Sequence, residues 1–426
     1  MADLTTAFCG ISSPNPFWLA SAPPTNSGDQ IMRAFDAGWG GAVWKTLGNP
    51  VVNLSSRYAA VDHGKKRIMG MSNIELISDR GLSTNLKEMH EVKKNYPDHA
   101  VLASIMADGK EEWQQLIRRV EDTGADGIEL NFSCPHGMCE RGLGSAIGQE
   151  PAIAEEITRW VKHSSSLPVL VKFTPNVADI CEQGRAAVAG GADGVALINT
   201  VKSIIGVDLD DFIPFPKLRN GSTNGGYSGP ALKPIALHMV ASLGRQDWFS
   251  LPMSGIGGIN SWRDAAEFIA LGCTTVQVCT AVMHHGFAIV EEMISGLTSY
   301  LNGKKMNSVS ELCGKALGCY KNWGELDMNY KVVAEIDAET CIGCGKCYTA
   351  CYDGAYQAIS LSGKSGESEK APPTVLTDKC QGCNLCSLVC PVNSISMVDV
   401  SLTDKIESWQ DVLERGGYAI EDGISS

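Results

Sequence analysis

Eight cysteines in the last hundred residues have the spacing of iron–sulfur ligands. They form two copies of the pattern C-x2-C-x2-C-x3-C: Cys341, Cys344, Cys347 and Cys351, then Cys380, Cys383, Cys386 and Cys390. This spacing lets three thiolates of one copy and a fourth from the other enclose a [4Fe–4S] cube. It predicts two clusters, one on Cys341, Cys344, Cys347 and Cys390 and the other on Cys380, Cys383, Cys386 and Cys351. Paired C-x2-C also suits tetrahedral zinc, but two complete tandem copies, the second closed by Pro391, favour clusters and electron transfer.

Polar side chains recur where the apolar runs of the first two thirds of the chain end. They are Ser21, Lys45, Thr46, Asn131, Ser133, Cys134, His136, Lys172, Asn199, Thr200, Cys279 and Thr280. Each alone is an ordinary loop residue, but their recurrence favours one shared site. Lys45 and Lys172 would place positive charge beside an anionic flavin ring. The glycines at 255, 257 and 258 would let backbone N–H groups approach a phosphate.

Cys134 is the candidate for proton transfer. A cysteine just beyond a buried strand is more often inert, but the amides of Asn73, Asn131 and Asn199 near it favour a proton donor or acceptor role. A thiol near its usual pKa of about 8.5 is mostly protonated at neutral pH, as an acid must be. The glycine-rich loop 137–144 is predicted to act as a lid, and Cys139 within it has no assigned role.

The elements that must position these residues are alternating strands and helices. The strands are predicted at 17–21, 41–46, 100–106, 127–131, 168–173, 194–199, 252–257 and 275–280. The helices are predicted at 28–38, 83–94, 111–122, 150–163, 178–190, 232–243, 261–271 and 286–302. Apolar strands separated by helices indicate a parallel sheet covered on both faces, and eight such units fit a (β/α)8 barrel with its site at the carboxyl ends of the strands. The longer segments 47–80 and 202–228 are predicted to be active-site loops.

Composition limits the classes of partner. The chain has 426 residues, 44% of them hydrophobic, and a formal net charge of −13 without a basic block, which argues against nucleic acid or an anionic membrane as partner. It shows no basic-then-apolar leader and no run of about 18 apolar residues. The eight remaining cysteines are scattered, so we expect a reduced, cytoplasmic protein.

The predicted fold is α/β, a TIM barrel followed by a small α+β ferredoxin-like domain with two [4Fe–4S] clusters. We expect the barrel over residues 1–305, a helical connection over 306–334, the two-cluster domain over 335–400 and a C-terminal arm over 401–426.

Four motifs resemble the dihydropyrimidine dehydrogenase family. They are Asn131-Phe-Ser133-Cys134-Pro-His136-Gly-Met, Met71-Ser-Asn73-Ile-Glu75-Leu-Ile, Lys172-Phe-Thr-Pro-Asn and Ile198-Asn199-Thr200-Val. The resemblance extends through the cysteine motifs and covers nearly the whole chain. The barrel is also similar to dihydroorotate dehydrogenases, which share the Asn-x-Ser-Cys-Pro core. The chain begins at the barrel, without the FAD and NADPH domains of the long form. It therefore resembles the catalytic subunit of the bacterial two-subunit, NAD-dependent type.

The resemblance implies FMN on the barrel, held by Ser21, Lys45, Thr46, Lys172, Gly229, Ile256, Gly257, Gly258, Cys279 and Thr280. It implies that a pyrimidine base is bound by Asn73, Glu75, Asn131, Ser133, His136, Asn199 and Thr200. Cys134 would be the general acid, protonating C5 of uracil or thymine while hydride reaches C6. A separate flavoprotein subunit that binds FAD and NAD(H) would supply electrons, in a hetero-oligomer, such as a heterotetramer, built on a dimer.

Two other functions remain open. One is flavin-dependent reduction of another small unsaturated ring, including dihydroorotate oxidation, although Glu75 facing the ring would repel a carboxylate substrate. The other is a non-catalytic electron-transfer module, which the intact set of Cys134, Asn131 and Asn199 argues against.

Overall fold

The computed structural model describes residues 1–49, 51–63, 66–135, 137–138, 140, 142–361, 371–400, 411 and 414. The chain forms two compact units, Met1–Tyr320 and Lys321–Ser426. The predicted substrate contact of His136, the position of Cys139 and all but two residues of the predicted C-terminal arm lie outside the described residues.

The first unit contains the predicted barrel. Its strands are, in chain order, β1 (Thr6–Phe8), β2 (Ile11–Ser13), β3 (Phe17–Leu19), β4 (Gly41–Leu47), β5 (Tyr58–His63), β6 (Lys66–Asn73), β7 (Ala100–Ile105), β8 (Gly127–Asn131), β9 (Val169–Lys172), β10 (Gly194–Leu197), β11 (Val201–Ser203), β12 (Val207–Asp208), β13 (Ile213–Pro214), β14 (Gly225–Ser228), β15 (Met253–Ile256) and β16 (Cys273–Val278). Strands β3, β4, β7, β8, β9, β10, β15 and β16 form a closed parallel barrel in that order. These are the eight predicted strands, so the predicted fold class is confirmed.

Helices cover the outside of the barrel. They are α1 (Gly28–Ala37), α2 (Leu82–Asn95), α3 (Lys110–Glu121), α4 (Ser145–Gly148), α5 (Pro151–Ser164), α6 (Ile180–Gly190), α7 (Lys233–Gly244), α8 (Trp262–Ala270), α9 (Thr280–His285) and α10 (Ile289–Gly303). The eight predicted helices are present, and the short helices α4 and α9 are additions. Among the described residues, no helix combines the length and apolar character needed to cross a bilayer.

Local sequence explains where these helices begin and end. In α1, the Ser27 side chain accepts the backbone N–H of Gln30, and Gly38 ends the helix with a left-handed φ of 111°. The apolar stripe of α1, including Ile31 and Phe35, is buried in the main core. Such packing, more than intrinsic helix propensity, holds a short helix in place.

Apolar side chains fill the amino end of the barrel. Phe8 and Ile11, from hairpin β1–β2, pack with Trp18, Val43 and Leu170. The Phe8 and Trp18 rings meet edge to face, with centroids 5.6 Å apart. Because this end is filled by hydrophobic groups, the polar strand ends at the opposite mouth are left to form the site.

The two segments predicted as active-site loops contain strands. They combine into one antiparallel sheet in the order β11, β14, β6, β5. Asn73 on β6 lies opposite Gly226 on one side and Tyr58 on the other. A Cβ at Gly226 would be only 2.1 Å from the Thr200 hydroxyl, so glycine lets the sheet pack directly against the end of β10.

The described residues of the second unit form two two-stranded sheets and two helices. Strands β17 (Val332–Ile336) and β20 (Ile395–Asp399) pair, as do β18 (Ile359–Ser360) and β19 (Thr374–Val375). Helix α11 (Lys346–Gly354) carries Cys347 and Cys351 of the first motif, and helix α12 (Leu385–Leu388) carries Cys386 of the second. The segment between the barrel and β17 contains single 3-10 turns at Val309–Glu311, Leu317–Cys319 and Trp323–Glu325.

Candidate active site and cluster cavities

One cavity opens at the carboxyl ends of the barrel strands. Most predicted site residues line it: Ser21, Lys45, Thr46, Asn73, Glu75, Asn131, Cys134, Lys172, Asn199, Thr200, Gly229, Ile256, Gly257, Gly258, Cys279 and Thr280. Ser133 does not reach the cavity wall and lies fully buried behind it. Residues that are far apart in the chain therefore converge on a single space, as the strand ends of a parallel barrel require.

Several lining residues were missed by the sequence analysis, notably Tyr58, Met71, Ser228, Asn260, Gln277 and Met283. Gln277 carried a usable signal, because it is a polar residue between Val276 and Val278 in an apolar strand. Tyr58 had no such signal. It reaches the cavity only because the hairpin β5–β6 joins the sheet above the barrel mouth.

A chain of hydrogen bonds crosses the cavity wall. The Ser21 hydroxyl lies 3.2 Å from the Thr46 hydroxyl, which accepts the side-chain amide of Asn131 at 2.9 Å. Ser133 donates its hydroxyl proton to Asn131 Oδ1 at 2.8 Å and accepts the Asn199 amide at 2.8 Å. The role of Ser133 in this geometry is to orient two asparagines from behind. A fully connected buried network holds its members in one arrangement.

The three asparagines predicted to bind substrate, Asn73, Asn131 and Asn199, all have their side-chain oxygen engaged by the chain itself. In each case the oxygen accepts a backbone N–H one or two residues further on: Glu75 to Asn73 at 3.1 Å, Ser133 to Asn131 at 3.2 Å and Thr200 to Asn199 at 2.7 Å. Because only an oxygen can accept these protons, the orientation of each amide is determined. Each –NH₂ group carries two protons. Asn131 donates one of them to Thr46 and Asn199 donates one to Ser133, so each keeps one N–H for a ligand. The asparagines therefore act mainly as hydrogen-bond donors.

Lys45 and Glu75 form a buried ion pair in the cavity. Lys45 Nζ lies 2.7 Å from Glu75 Oε1, and both side chains are at most 7% exposed. Arg57 Nε lies 3.5 Å from the same oxygen, and the Tyr58 hydroxyl donates to Oε2. The Glu75 charge is therefore balanced by neighbouring cations, which weakens the expectation that it repels an anionic substrate.

A second lysine pair lies deeper in the barrel. Lys172 Nζ is 3.5 Å from Oε1 of Glu129, whose side chain is fully buried. Gln277 donates its amide to Glu129 Oε2 at 3.2 Å. The Gln277 side-chain oxygen is buried without a hydrogen-bond partner, and it belongs to a residue that lines the cavity. A buried acceptor without a hydrogen bond costs free energy of folding. A ligand that donates an N–H group to this oxygen would remove that cost.

Cys134 is held by the loop that follows it. Its carbonyl oxygen accepts the backbone N–H of Ser145 at 3.0 Å, and its side chain is almost buried. A Cβ at Gly144 would be 2.8 Å from that carbonyl oxygen, so the loop packs directly on the Cys134 backbone. Cys279 also lines the cavity, and burial raises the pKa of its thiol to about 12.

Glycines form the cavity wall near strands β15 and β16. Gly229, Gly257 and Gly258 have left-handed φ values of 99°, 129° and 74°. A Cβ at Gly258 would be 2.7 Å from the backbone nitrogen of Lys233, the first residue of α7. Backbone N–H groups at glycine turns and helix starts are a ready-made site for a phosphate.

The second unit has two cavities, each lined by four cysteines. One is lined by Cys341, Cys344, Cys347 and Cys390, and the other by Cys351, Cys380, Cys383 and Cys386. Each cavity combines three cysteines of one motif with the last cysteine of the other, the grouping expected from the spacing. Burial and then the neighbouring thiols raise the pKa of Cys386 to about 11. Deprotonation of this thiol is therefore unfavourable without a metal, and bound iron would stabilise the thiolate.

Comparison with known proteins agrees with this architecture. The family described as dihydroorotate dehydrogenase matches residues 3–301, and the 4Fe-4S dicluster domain matches residues 334–397. The chain belongs to the dihydroorotate dehydrogenase family. The carboxyl-terminal unit of this family member is accordingly a 4Fe-4S dicluster domain.

Individual relatives refine the comparison. The chain is 43% identical over 400 residues to the NAD-dependent dihydropyrimidine dehydrogenase subunit PreA of Escherichia coli (strain K12), covering 93% of this chain and 96% of that protein. It is 41% identical over 346 residues to the chloroplastic dihydropyrimidine dehydrogenase (NADP(+)) of Arabidopsis thaliana, covering 78% and 81%. It is 38% identical over 316 residues to the dihydroorotate dehydrogenase B (NAD(+)) catalytic subunit of Pyrococcus horikoshii, covering 72% and 96%. The resemblance inferred from the motifs is confirmed, and the chain is an oxidoreductase.

Proposed function

We propose that this chain is the catalytic subunit of a dihydropyrimidine dehydrogenase, which reduces uracil or thymine to the 5,6-dihydropyrimidine. The observation that carries the proposal is the single cavity shared by Cys134, the three asparagines and the residues expected to hold FMN. The names of the relatives from Escherichia coli and Arabidopsis thaliana support the same substrate class.

The residues present fit FMN. The glycine turns and the start of α7 suit its phosphate, and Lys172 together with the unpaired Gln277 oxygen suits the ring edge, which offers both C=O and N–H groups. When bound, FMN supplies hydride to the substrate ring, and two [4Fe–4S] clusters supply electrons one at a time. Ser21, Lys45, Thr46, Ile256, Cys279 and Thr280 complete the proposed FMN contacts.

The substrate contacts follow from the direction of each polar group. The side-chain amides of Asn73, Asn131 and Asn199 act mainly as donors and so would meet ring carbonyl oxygens. Glu75 is the carboxylate in the cavity lining and would accept a ring N–H. A ring that alternates carbonyl and N–H groups, as uracil and thymine do, satisfies both requirements. Thr200 at the cavity wall and Ser133 behind it complete the set, and we retain His136 as a proposed contact.

Cys134 is the proposed general acid. Its thiol proton would go to C5 as hydride arrives at C6, so that one proton and one hydride saturate the C5–C6 double bond. The loop contacts of Gly144 and Ser145 fix its backbone, which keeps the thiol at one place in the cavity wall. A partly buried thiol in a cavity is shielded from bulk water, which limits loss of its proton to solvent.

The electron donor is a second subunit. We infer an FAD-containing flavoprotein that oxidises NADH and passes electrons to the clusters, in a hetero-oligomer built on a dimer. The relative from Escherichia coli is itself named as a subunit of an NAD-dependent enzyme, which supports this arrangement.

Dihydroorotate oxidation is the second candidate, and one observation favours it. Lys45 and Arg57 both contact Glu75, so two cations lie at this edge of the cavity. A carboxylate on the substrate ring would be attracted there. The 38% identity to a dihydroorotate dehydrogenase catalytic subunit points the same way.

The first experiment uses anaerobically purified protein carrying its cofactors, reduced stoichiometrically and mixed rapidly with uracil, thymine or orotate. Flavin absorbance is followed in a stopped-flow instrument. We expect rapid reoxidation by uracil or thymine, and a decrease of at least about a hundredfold in Cys134→Ala because general acid catalysis is lost.

Cys181→Ala is the matched control, since Cys181 lies on α6 and does not line the cavity. It should reoxidise at the wild-type rate. Reoxidation by orotate alone would replace the proposal with the dihydroorotate reaction. An unchanged rate in Cys134→Ala would remove Cys134 from the role of acid.

A further inference from the structure

We propose that Tyr58 positions the Glu75 carboxylate and thereby sets how strongly the site selects a ring N–H group. The inference rests on the proposed function, in which Glu75 accepts that N–H. Tyr58 itself touches Glu75 and lines the outer part of the cavity, so it is a positioning and specificity residue and not part of the hydride or proton transfer.

The Glu75 carboxylate is held from two different elements. Lys45, on barrel strand β4, lies 2.7 Å from Oε1, whereas Tyr58, the first residue of β5, donates its hydroxyl to Oε2. With one oxygen held from the barrel and the other from the sheet, rotation about the last side-chain bond would break one contact or the other. The carboxylate is thus held in one plane.

Tyr58 is suited to this role at any working pH. Burial, followed by the hydrogen bond to Glu75, raises the pKa of Tyr58 well above its ordinary value. The phenol therefore keeps its proton, and the contact with the carboxylate has a single direction, from hydroxyl to oxygen. Arg57 adds to this arrangement, with its guanidinium 5.6 Å over the Tyr58 ring.

The register of the sheet connects the contacts of Lys45 and Tyr58 on Glu75 to substrate recognition. Tyr58 pairs directly with Asn73, and Asn73 accepts the backbone N–H of Glu75. The donor amide of Asn73 and the acceptor carboxylate of Glu75 are therefore fixed by the same short stretch of hairpin. Loss of the phenol hydroxyl would remove the hydrogen bond to Oε2 and keep the contact between Lys45 and Oε1 at 2.7 Å, so the orientation of the acceptor oxygen would be less well defined.

Tyr58→Phe in the cofactor-loaded protein tests the inference. We expect the KM for uracil to rise about tenfold, as for partial loss of a charge-assisted hydrogen bond, while kcat changes less than about twofold. The second readout is discrimination against 1-methyluracil and 3-methyluracil, one of which has its methyl group on the nitrogen facing Glu75. The ratio of kcat/KM for uracil to kcat/KM for that analogue should fall about tenfold. The analogue has no N–H to donate to Glu75, so the change weakens binding of uracil and not of the analogue.

Tyr227→Phe is the matched control. Tyr227 lies on β14 of the same sheet, with its hydroxyl against Gly70, and does not line the cavity. It should leave KM and both discrimination ratios unchanged. The inference would be overturned if Tyr58→Phe changed KM equally for uracil and both analogues, or did not change it at all. Either result would leave the proposed function intact. A wild-type protein that binds no pyrimidine would overturn both.

Discussion

At the scale of single residues, the cavity is built from charges that compensate one another. Lys45 lies beside Glu75, and Lys172 lies beside Glu129. A buried ion pair adds little net stability, but removing one partner leaves an uncompensated charge that costs about 3–5 kcal/mol. These pairs are therefore better understood as a way to keep polar groups in an apolar barrel than as a source of stability.

The amide orientation leads to a prediction for Asn73→Asp. This change replaces the donor –NH₂ by an acceptor oxygen and keeps the oxygen that accepts the Glu75 N–H. We expect kcat/KM for uracil to fall about a hundredfold, since an acceptor would then face a ring carbonyl. The measurement is steady-state kinetics with saturating electron donor.

Asn95→Asp makes the same chemical change at the exposed end of α2 and should leave kcat/KM unchanged. Cytosine offers an amino donor in place of one ring carbonyl. If Asn73 meets that position, the preference for uracil over cytosine should shrink in Asn73→Asp. If kcat/KM fell equally for uracil and cytosine, the Asn73 amide would not contact the ring position at which the two bases differ.

At the scale of elements, the loop after β8 is shaped by close backbone contacts. Gly144 lies against the Cys134 backbone, and a Cβ at Gly148 would be 1.9 Å from the Phe132 carbonyl oxygen. Two glycines thus allow the loop and α4 to fold tightly over the segment that carries the proposed acid. Residues without a Cβ are needed here because backbone must touch backbone.

The loop gives a prediction for Gly144→Ala. Gly144 has φ of 58° and ψ of −123°, and an added Cβ would be 3.0 Å from Cys134 Cβ. We expect the free energy of unfolding to fall by about 1–3 kcal/mol and the rate of flavin reoxidation by substrate to fall at least about tenfold, because Cys134 must shift. Thermal denaturation and stopped-flow absorbance measure the two effects.

Gly142→Ala separates backbone strain from displacement of Cys134. Gly142 also has a positive φ, 77°, but a Cβ there would meet nothing within 4 Å. It should lose similar stability and keep the wild-type reoxidation rate. Equal rates in the two variants would mean that Cys134 does not need the contact with Gly144.

At the scale of the whole molecule, each cysteine cavity of the second unit combines residues of both cysteine motifs. Cys390 shares a cavity with the first motif, and Cys351 shares one with the second. Buried cysteines also belong to the small apolar core of this unit, with Val333, Ala334 and Ile359. A domain this small has little other core, so cluster binding and folding should be coupled.

Double variants distinguish crossed from local ligation. With crossed ligation, Cys341→Ser with Cys390→Ser alters one cluster, whereas Cys341→Ser with Cys351→Ser alters both. We expect the first variant to keep about half of the wild-type iron and acid-labile sulfide and the second to lose nearly all of it. Iron and sulfide analysis with electron paramagnetic resonance of the reduced protein makes the measurement.

Cys319→Ser is the control, since Cys319 is an exposed cysteine of the first unit and should leave the iron content unchanged. The reverse order of the two double variants, with more iron in Cys341→Ser with Cys351→Ser, would show that each motif binds its own cluster.

The barrel, its helices and the residues at the strand ends could be predicted from local patterns of residues. A largely apolar run such as Val169–Lys172 can be buried only between other elements, and the helix Ile180–Gly190 follows it in the chain. The spacing of the cysteines also predicted their grouping in the two cavities, since in this pattern the fourth cysteine of each copy serves the other cluster. These features depend on neighbours in the chain, so local patterns are enough to predict them.

The contacts between the polar groups of the cavity could not be predicted from the sequence. The side chains of Tyr58 and Lys45 meet on Glu75 because the hairpin β5–β6 folds back over the barrel, and Gln277 reaches Glu129 from the far side of the barrel interior. The three asparagine amides are left as donors because backbone N–H groups occupy their side-chain oxygens. Such contacts depend on strand register and on packing between distant segments, which no local pattern of residues encodes.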